Sequence, residues 1–120
     1  ALSRQALGRW PLLTYARGSL PHGELLRLFA DMPEVRIHSS ASLAAMIMLI
    51  QRGMGIGALP HAVATPLAEK GQLKIVPISQ EVRISSMPFF ASYRSGASQS
   101  LPAIAAQVAK EAAEIYMVGR

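Results

Sequence analysis

The chain has 120 residues, of which 51% are apolar and 16% charged, too apolar for a disordered tail and enough to build the core of one domain. It contains no cysteine, which excludes disulfides, thiolate catalysis and the common structural zinc sites and is compatible with a reducing cytosol. Twelve Lys and Arg against seven Asp and Glu give a net charge of +5, but the basic residues are spread almost evenly from Arg4 to Arg120 rather than gathered on the stripe that a nucleic-acid surface uses.

The longest apolar run, Leu43 to Ile50, is far short of the roughly 20 residues that span a bilayer. The opening ALSRQALGRWPLL lacks the charged start, apolar stretch and small-residue cleavage site of a secretory signal. Trp10 to Tyr15 reads as a buried strand entering a turn at Arg17-Gly18-Ser19. Pro21 to Met32 places Leu25, Leu26, Leu28 and Phe29 at helical spacing, with Pro21 near the start and Pro33 as a stop. Val35 to His38 is a second short strand. Several serines then offer N-caps to a helix over Leu43 to Gln51, apolar all round and so expected to be sandwiched. Gly53 reads as its left-handed cap.

Met54 to Leu59 is a third strand whose Gly55 and Gly57 admit close packing of another backbone. Pro60 opens a helix to about Lys70, closed by Gly71, and Leu73 to Ile78 is a fourth extended piece. The alternation of strand and helix predicts an α/β fold with a mainly parallel sheet flanked by helices. Val82 to Arg94 is extended and interrupted by Pro88. Ser95 to Ser100 reads as a loop, and Leu101 to Met117 as an Ala-rich amphipathic helix. The last two elements look like a return strand and a closing helix rather than another repeat.

Enzyme signatures are missing from the sequence: there is no G-x-S-x-G, H-E-x-x-H or Walker motif. His22, His38 and His61 have no spacing suited to a shared metal, and His22 and His61, each at a helix start, read as surface or capping residues. The acidic residues form no pair held for acid–base work. Gly53-x-Gly55-x-Gly57 follows a helix and enters a strand, the reverse of a dinucleotide loop, so packing explains it better. What remains is polar groups at strand carboxyl ends: Thr14 and the Tyr15 to Ser19 turn after the first strand, and Ser39, Ser40 and Ser42 after the second. In an open α/β sheet that edge binds ligands, and a helix N-terminus beginning with hydroxyls favours a carboxylate, sulfate or phosphate. Spacing equally allows Ser39 or Ser40 simply to cap its own helix.

WPLLTYARGS, then VRIHSSASLAAMIMLIQRGMGIGALP, then a short helix, GQLKIVPI and a strand-loop-helix tail together resemble the effector-binding domain of LysR-type transcriptional regulators over nearly the whole chain. The order and separation of the Pro-Leu-Leu-Thr-Tyr strand and the Arg-Gly-Met-Gly-Ile-Gly-Ala-Leu-Pro motif carry the resemblance. It implies one lobe of a periplasmic-binding-protein-like domain over residues 1–120, with an α/β lobe at 10–80 and a return strand, loop and C-terminal helix at 81–120. It further implies a longer protein whose winged helix-turn-helix, linker helix and first lobe lie outside these residues, with ligand bound between lobes.

Carried over by position, the resemblance assigns effector binding to Thr14, Ser39 and Ser40 and to Arg17, Gly18 and Ser19 at the pocket mouth, with Arg17 supplying charge to a carboxylate or other anion. It implies no catalytic residue, no metal and no cofactor. The expected function is a non-enzymatic, cytoplasmic sensor of a small anionic metabolite that acts on transcription through DNA contacts made elsewhere in a homo-oligomer, with no membrane partner. The alternatives are a lobe of an extracytoplasmic solute-binding protein, which would share the hydroxyl-lined cleft, and an enzyme on the same architecture. An isolated lobe would expose a strand edge and an apolar helix face, so self-association is also expected.

Overall fold

Leu12, Leu13 and Thr14 are consecutive buried residues, the pattern of a strand covered on both faces. In the computed structural model, which describes residues 1–86, 91–92, 94 and 100–118, they form β1 (Leu12–Thr14), the centre of a three-stranded parallel sheet of order β2-β1-β3. Strand β2 is Ile37–Ser39 and β3 is Ile56–Gly57. The register pairs Leu12 with Ile37 and Ile56, and Thr14 with Ser39. The chain divides into two compact units, Ala1–Met87 and Pro88–Arg120. The first holds the sheet with helices α1 (Arg4–Leu7), α2 (Leu20–Leu28), α3 (Leu43–Gln51) and α4 (His61–Glu69); the second holds α5 (Leu101–Val118).

The core lies against β1. Leu7 of α1, Leu12, Leu25 and Phe29 from α2 and its end, and Val82 form one buried cluster, edged by Ile37 and Ile56. Helix α3 ends as its sequence demands: Gly53 has φ +74, Met54 N–H reaches Leu49 O and Gly53 N–H reaches Ile50 O, the Schellman arrangement. Gly55 lies so close to Pro11 that a Cβ there would collide with the Pro11 carbonyl oxygen. The α/β architecture with a parallel sheet flanked by helices is therefore as the alternation of elements predicts.

Several expected boundaries and roles differ. The first strand is confined to Leu12–Thr14, and Trp10 is 53% exposed, because pairing with β2 starts only at Leu12, whose N–H bonds Arg36 O. Helix α2 ends at Leu28, well before Pro33, where Phe29 turns to φ −111. Helix α3 is not sandwiched: Met46 is fully buried but Met48 is 53% exposed, since α3 packs on the small sheet through one stripe only. Of the extended Leu73 to Ile78, only Ile78 pairs, in a single parallel bridge to Leu2. The stretch from Val82 begins in a one-turn 3-10 helix, Gln80–Val82, and residues 83–86 form no strand. The rest of the expected return strand, apart from 91–92 and 94, and the loop at 95–99 lie outside the described residues. Helix α1, unassigned in the sequence, is capped by Ser3.

Candidate functional site

The register of β1 against β2 decides what meets at the sheet's carboxyl edge. Thr14 pairs with Ser39, and Ser40 N–H donates to Thr14 O at 2.9 Å, so Thr14, Ser39 and Ser40 share one corner. The turn after Thr14 is closed by Ser19 N–H donating to Ala16 O at 3.0 Å and requires Gly18 at φ +85, a left-handed value that a side chain disfavours. Arg17 and Gly18 are exposed there and Ser19 is half-buried. Both α2 and α3 begin just beyond these strand ends, which brings two helix amino ends, with their partial positive charge, to the same edge.

The serines divide the work. Ser42, not Ser39 or Ser40, caps α3: its Oγ accepts from Ala45 N–H at 3.2 Å. Ser40 Oγ is held in a local turn, accepting from Ser42 N–H and donating to Ser42 O, both at 3.2 Å. Ser19 caps α2 by accepting from His22 N–H at 3.4 Å, leaving its hydroxyl proton to donate. Ser39 Oγ has no partner, and the amides of Leu43 and Ala44 in the first turn of α3 meet no acceptor, among the described residues.

Thr14 is 1% exposed, yet among the described residues its Oγ1 has no hydrogen-bond partner, and neither do the buried Tyr15 hydroxyl and His22 Nδ1. Burial raises the Tyr15 phenol above its ordinary pKa. Thr14 is thus an enclosed, unpaired hydroxyl rather than one lining an open cleft. His22 is not the surface residue its place at a helix start predicts; its ring is drawn inward, whereas His61 is exposed and its Nδ1 lies 3.1 Å from Thr65 Oγ1. Nothing in the spacing of His22 marks its ring nitrogen as buried, and the turn after Thr14 does not single out the Tyr15 hydroxyl.

A cavity of about 430 Å³ lies elsewhere, along β3 and residues 73–78, with Leu12, Ile56, Ile75 and Val76 in its apolar wall and His61 and Lys74 among its polar lining. None of the six residues at the β1–β2 corner lines it. Among the described residues no three His, Asp or Glu side chains are grouped to hold a metal, and no helix is long and apolar enough to cross a membrane.

A parallel sheet flanked by helices, with hydroxyls and helix amino ends at its carboxyl edge, is the plan of a lobe of a periplasmic-binding-protein-like domain. The model of the LysR substrate binding domain matches residues 1–112, and the chain belongs to that family. Comparison with curated proteins and with solved structures finds no match. The family is one of non-enzymatic effector-binding domains of transcription regulators, which sets aside the enzyme reading and the extracytoplasmic solute-binding lobe.

Proposed function

We propose that this domain senses a small anionic metabolite at the β1–β2 corner and passes the signal to DNA contacts made by another part of a cytoplasmic, homo-oligomeric regulator. The observation that carries this reading is the buried, unpaired Thr14 hydroxyl at the carboxyl end of β1, the strand end to which Ser40 N–H ties the segment leading into α3. Buried polar groups in folded proteins are nearly always paired, so an unpaired one at a ligand-binding edge marks a place kept for a ligand atom. The carboxylate rests on the Leu43 and Ala44 amides, where the helix field favours negative charge. Ser39 and Ser19 add neutral donors, and exposed Arg17 adds a charge-assisted one. Gly18 gives the turn its shape. To act as a switch, the metabolite binds one arrangement of the regulator better than another.

Calorimetric titration of the intact protein with a panel of small carboxylates tests this. At least one acid should bind, and Ser39→Ala and Arg17→Gln should each weaken it roughly three- to tenfold, as loss of one hydrogen bond or one partly screened charge does. Only the Arg17 contribution should shrink as salt is raised. An acid that binds both variants like the wild type would place the site elsewhere.

A further inference from the structure

Among the described residues, the atoms of Thr14, Tyr15 and His22 that are buried without a partner all lie between the last residue of β1 and the first turn of α2. Neighbouring exceptions of this kind point to a shared partner, because protein or ordered water otherwise satisfies such atoms. Strand alternation places Thr14. Leu12 belongs to the cluster that includes Leu25 and Phe29, so Thr14, two residues on, is on the side of β1 that faces α2. Helix α2 crosses between the parallel strands β1 and β2 and so runs back along β1, setting its first turn over the carboxyl end of the strand. His22 lies one turn before Leu25 on the same flank of that helix. The Thr14 hydroxyl and the His22 ring therefore come from facing surfaces, and they do not bond each other.

We propose that His22 is a specificity-determining residue of the effector site, and that Thr14 Oγ1 and His22 Nδ1 together hold one hydroxyl group of a small hydroxy acid. The inference rests on the effector site proposed above and names the ligand's class. A hydroxyl both donates and accepts, so it suits the pair whichever ring nitrogen of His22 carries the proton. With Nδ1 bare, the ligand O–H donates to it and accepts from Thr14; with Nδ1 protonated, the ligand oxygen accepts from the ring and donates to Thr14 Oγ1. A keto oxygen only accepts, and a methylene offers nothing and leaves both groups unpaired. A site built to bond a hydroxyl rejects the analogue lacking it far more strongly than an apolar pocket rejects an extra group. The acid's carboxylate stays with the α3 amides and Arg17. Both protein atoms are shielded from solvent, so the hydroxyl reaches them only when the residues that cover them part.

Matched probes separate the outcomes: lactate against propionate and malate against succinate, each titrated into the intact protein. The hydroxylated member should bind at least tenfold more tightly in one or both pairs. His22→Phe and Thr14→Val should each cut that ratio below threefold through the hydroxylated member's lost affinity, and Thr14→Ser, which keeps the hydroxyl, should preserve it. Equal affinities within a pair that binds, or a ratio that survives both substitutions, would overturn the inference and leave an ordered water between the two groups. If neither pair binds while other carboxylates do, the ligand class is wrong though the site stands; if no carboxylate binds, the effector-site reading fails with it.

Discussion

Ser40 donates its backbone N–H to Thr14 O at 2.9 Å, so the main chain of Thr14 is anchored to the segment leading into α3 while its side-chain hydroxyl is left without a partner. This residue stores a cost in the unliganded protein. A buried hydroxyl without a hydrogen bond is destabilising by about 1–3 kcal/mol relative to an apolar group of the same shape. Thr14→Val should therefore raise the stability of the ligand-free protein by roughly 1 kcal/mol while weakening effector binding, the trade expected where a site is kept ready at the expense of the fold. Urea unfolding of the two proteins without ligand checks it. A variant less stable than wild type would show that the hydroxyl is satisfied in solution.

The serines before α3 should respond unequally. Ser42 Oγ accepts from Ala45 N–H, and Ser42→Ala removes a helix cap worth about 1 kcal/mol. Ser39 caps nothing, and Ser39→Ala should leave stability within about 0.5 kcal/mol of wild type. Thermal melts of both variants decide between a purely structural role for Ser39 and a free one: a loss at Ser39 equal to that at Ser42 would make it structural.

Where local chemistry sets the structure, the residues announce it. The Leu12-Leu13 run, the serines ahead of Leu43, Gly53 after Gln51 and Pro60 before His61 act over a few neighbours, and each lies in or beside the element it foretells. Other features depend on distant partners. The short helix α1 is held by Arg4, whose N–H donates to Glu81 at 3.1 Å and whose guanidinium reaches Leu28 O at 3.1 Å and pairs with Asp31. No period in four residues encodes that. Leu73 to Ile78 has the composition of a strand but, apart from the Ile78 bridge, finds no ladder among the described residues, because strand propensity expresses fit to a neighbour more than an intrinsic preference. At the site, Thr14, Ser39 and Ser40 are readable from strand-end position, whereas the inward turn of His22 depends on which flank of α2 meets β1.

Acid should weaken the fold through two carboxylates. The Arg4 guanidinium, bonded to Asp31, holds its carboxyl below the ordinary value, and the Ser85 hydrogen bonds, including the 2.8 Å backbone N–H, hold Glu24 below its own. A carboxyl whose pKa is depressed by folding adds stability that is fully present above its unfolded value, about 4, and lost as pH falls through the lower folded value. Stability should be level above about pH 5 and drop towards pH 3, more shallowly in Asp31→Asn and Glu24→Gln. Both groups are solvent-exposed, so high salt should shrink the Asp31 effect. Unfolding midpoints across pH 3–7 that shift equally in wild type and both variants would remove these carboxylates as the cause.

Two glycines of one motif should differ sharply when a methyl group is added. A Cβ at Gly55 would collide with the carbonyl oxygen of Pro11, part of the backbone beside β1, whereas one at Gly57 would meet Ile50 Cδ1 at 2.5 Å, the tip of a flexible side chain on α3. Neither glycine has a positive φ, so the difference is one of packing alone. Backbone can move only by disturbing the Ile56 N–H bond to Pro11 O, 2.9 Å long, while Ile50 can change rotamer. Gly55→Ala should cost about 3 kcal/mol, at the upper end for overpacking, and Gly57→Ala about 1 kcal/mol, part of it offset by the reduced freedom of the unfolded chain. Chemical denaturation of the two variants ranks them, and an equal or reversed order would mean that Pro11 is not fixed against β3 as the sheet register requires.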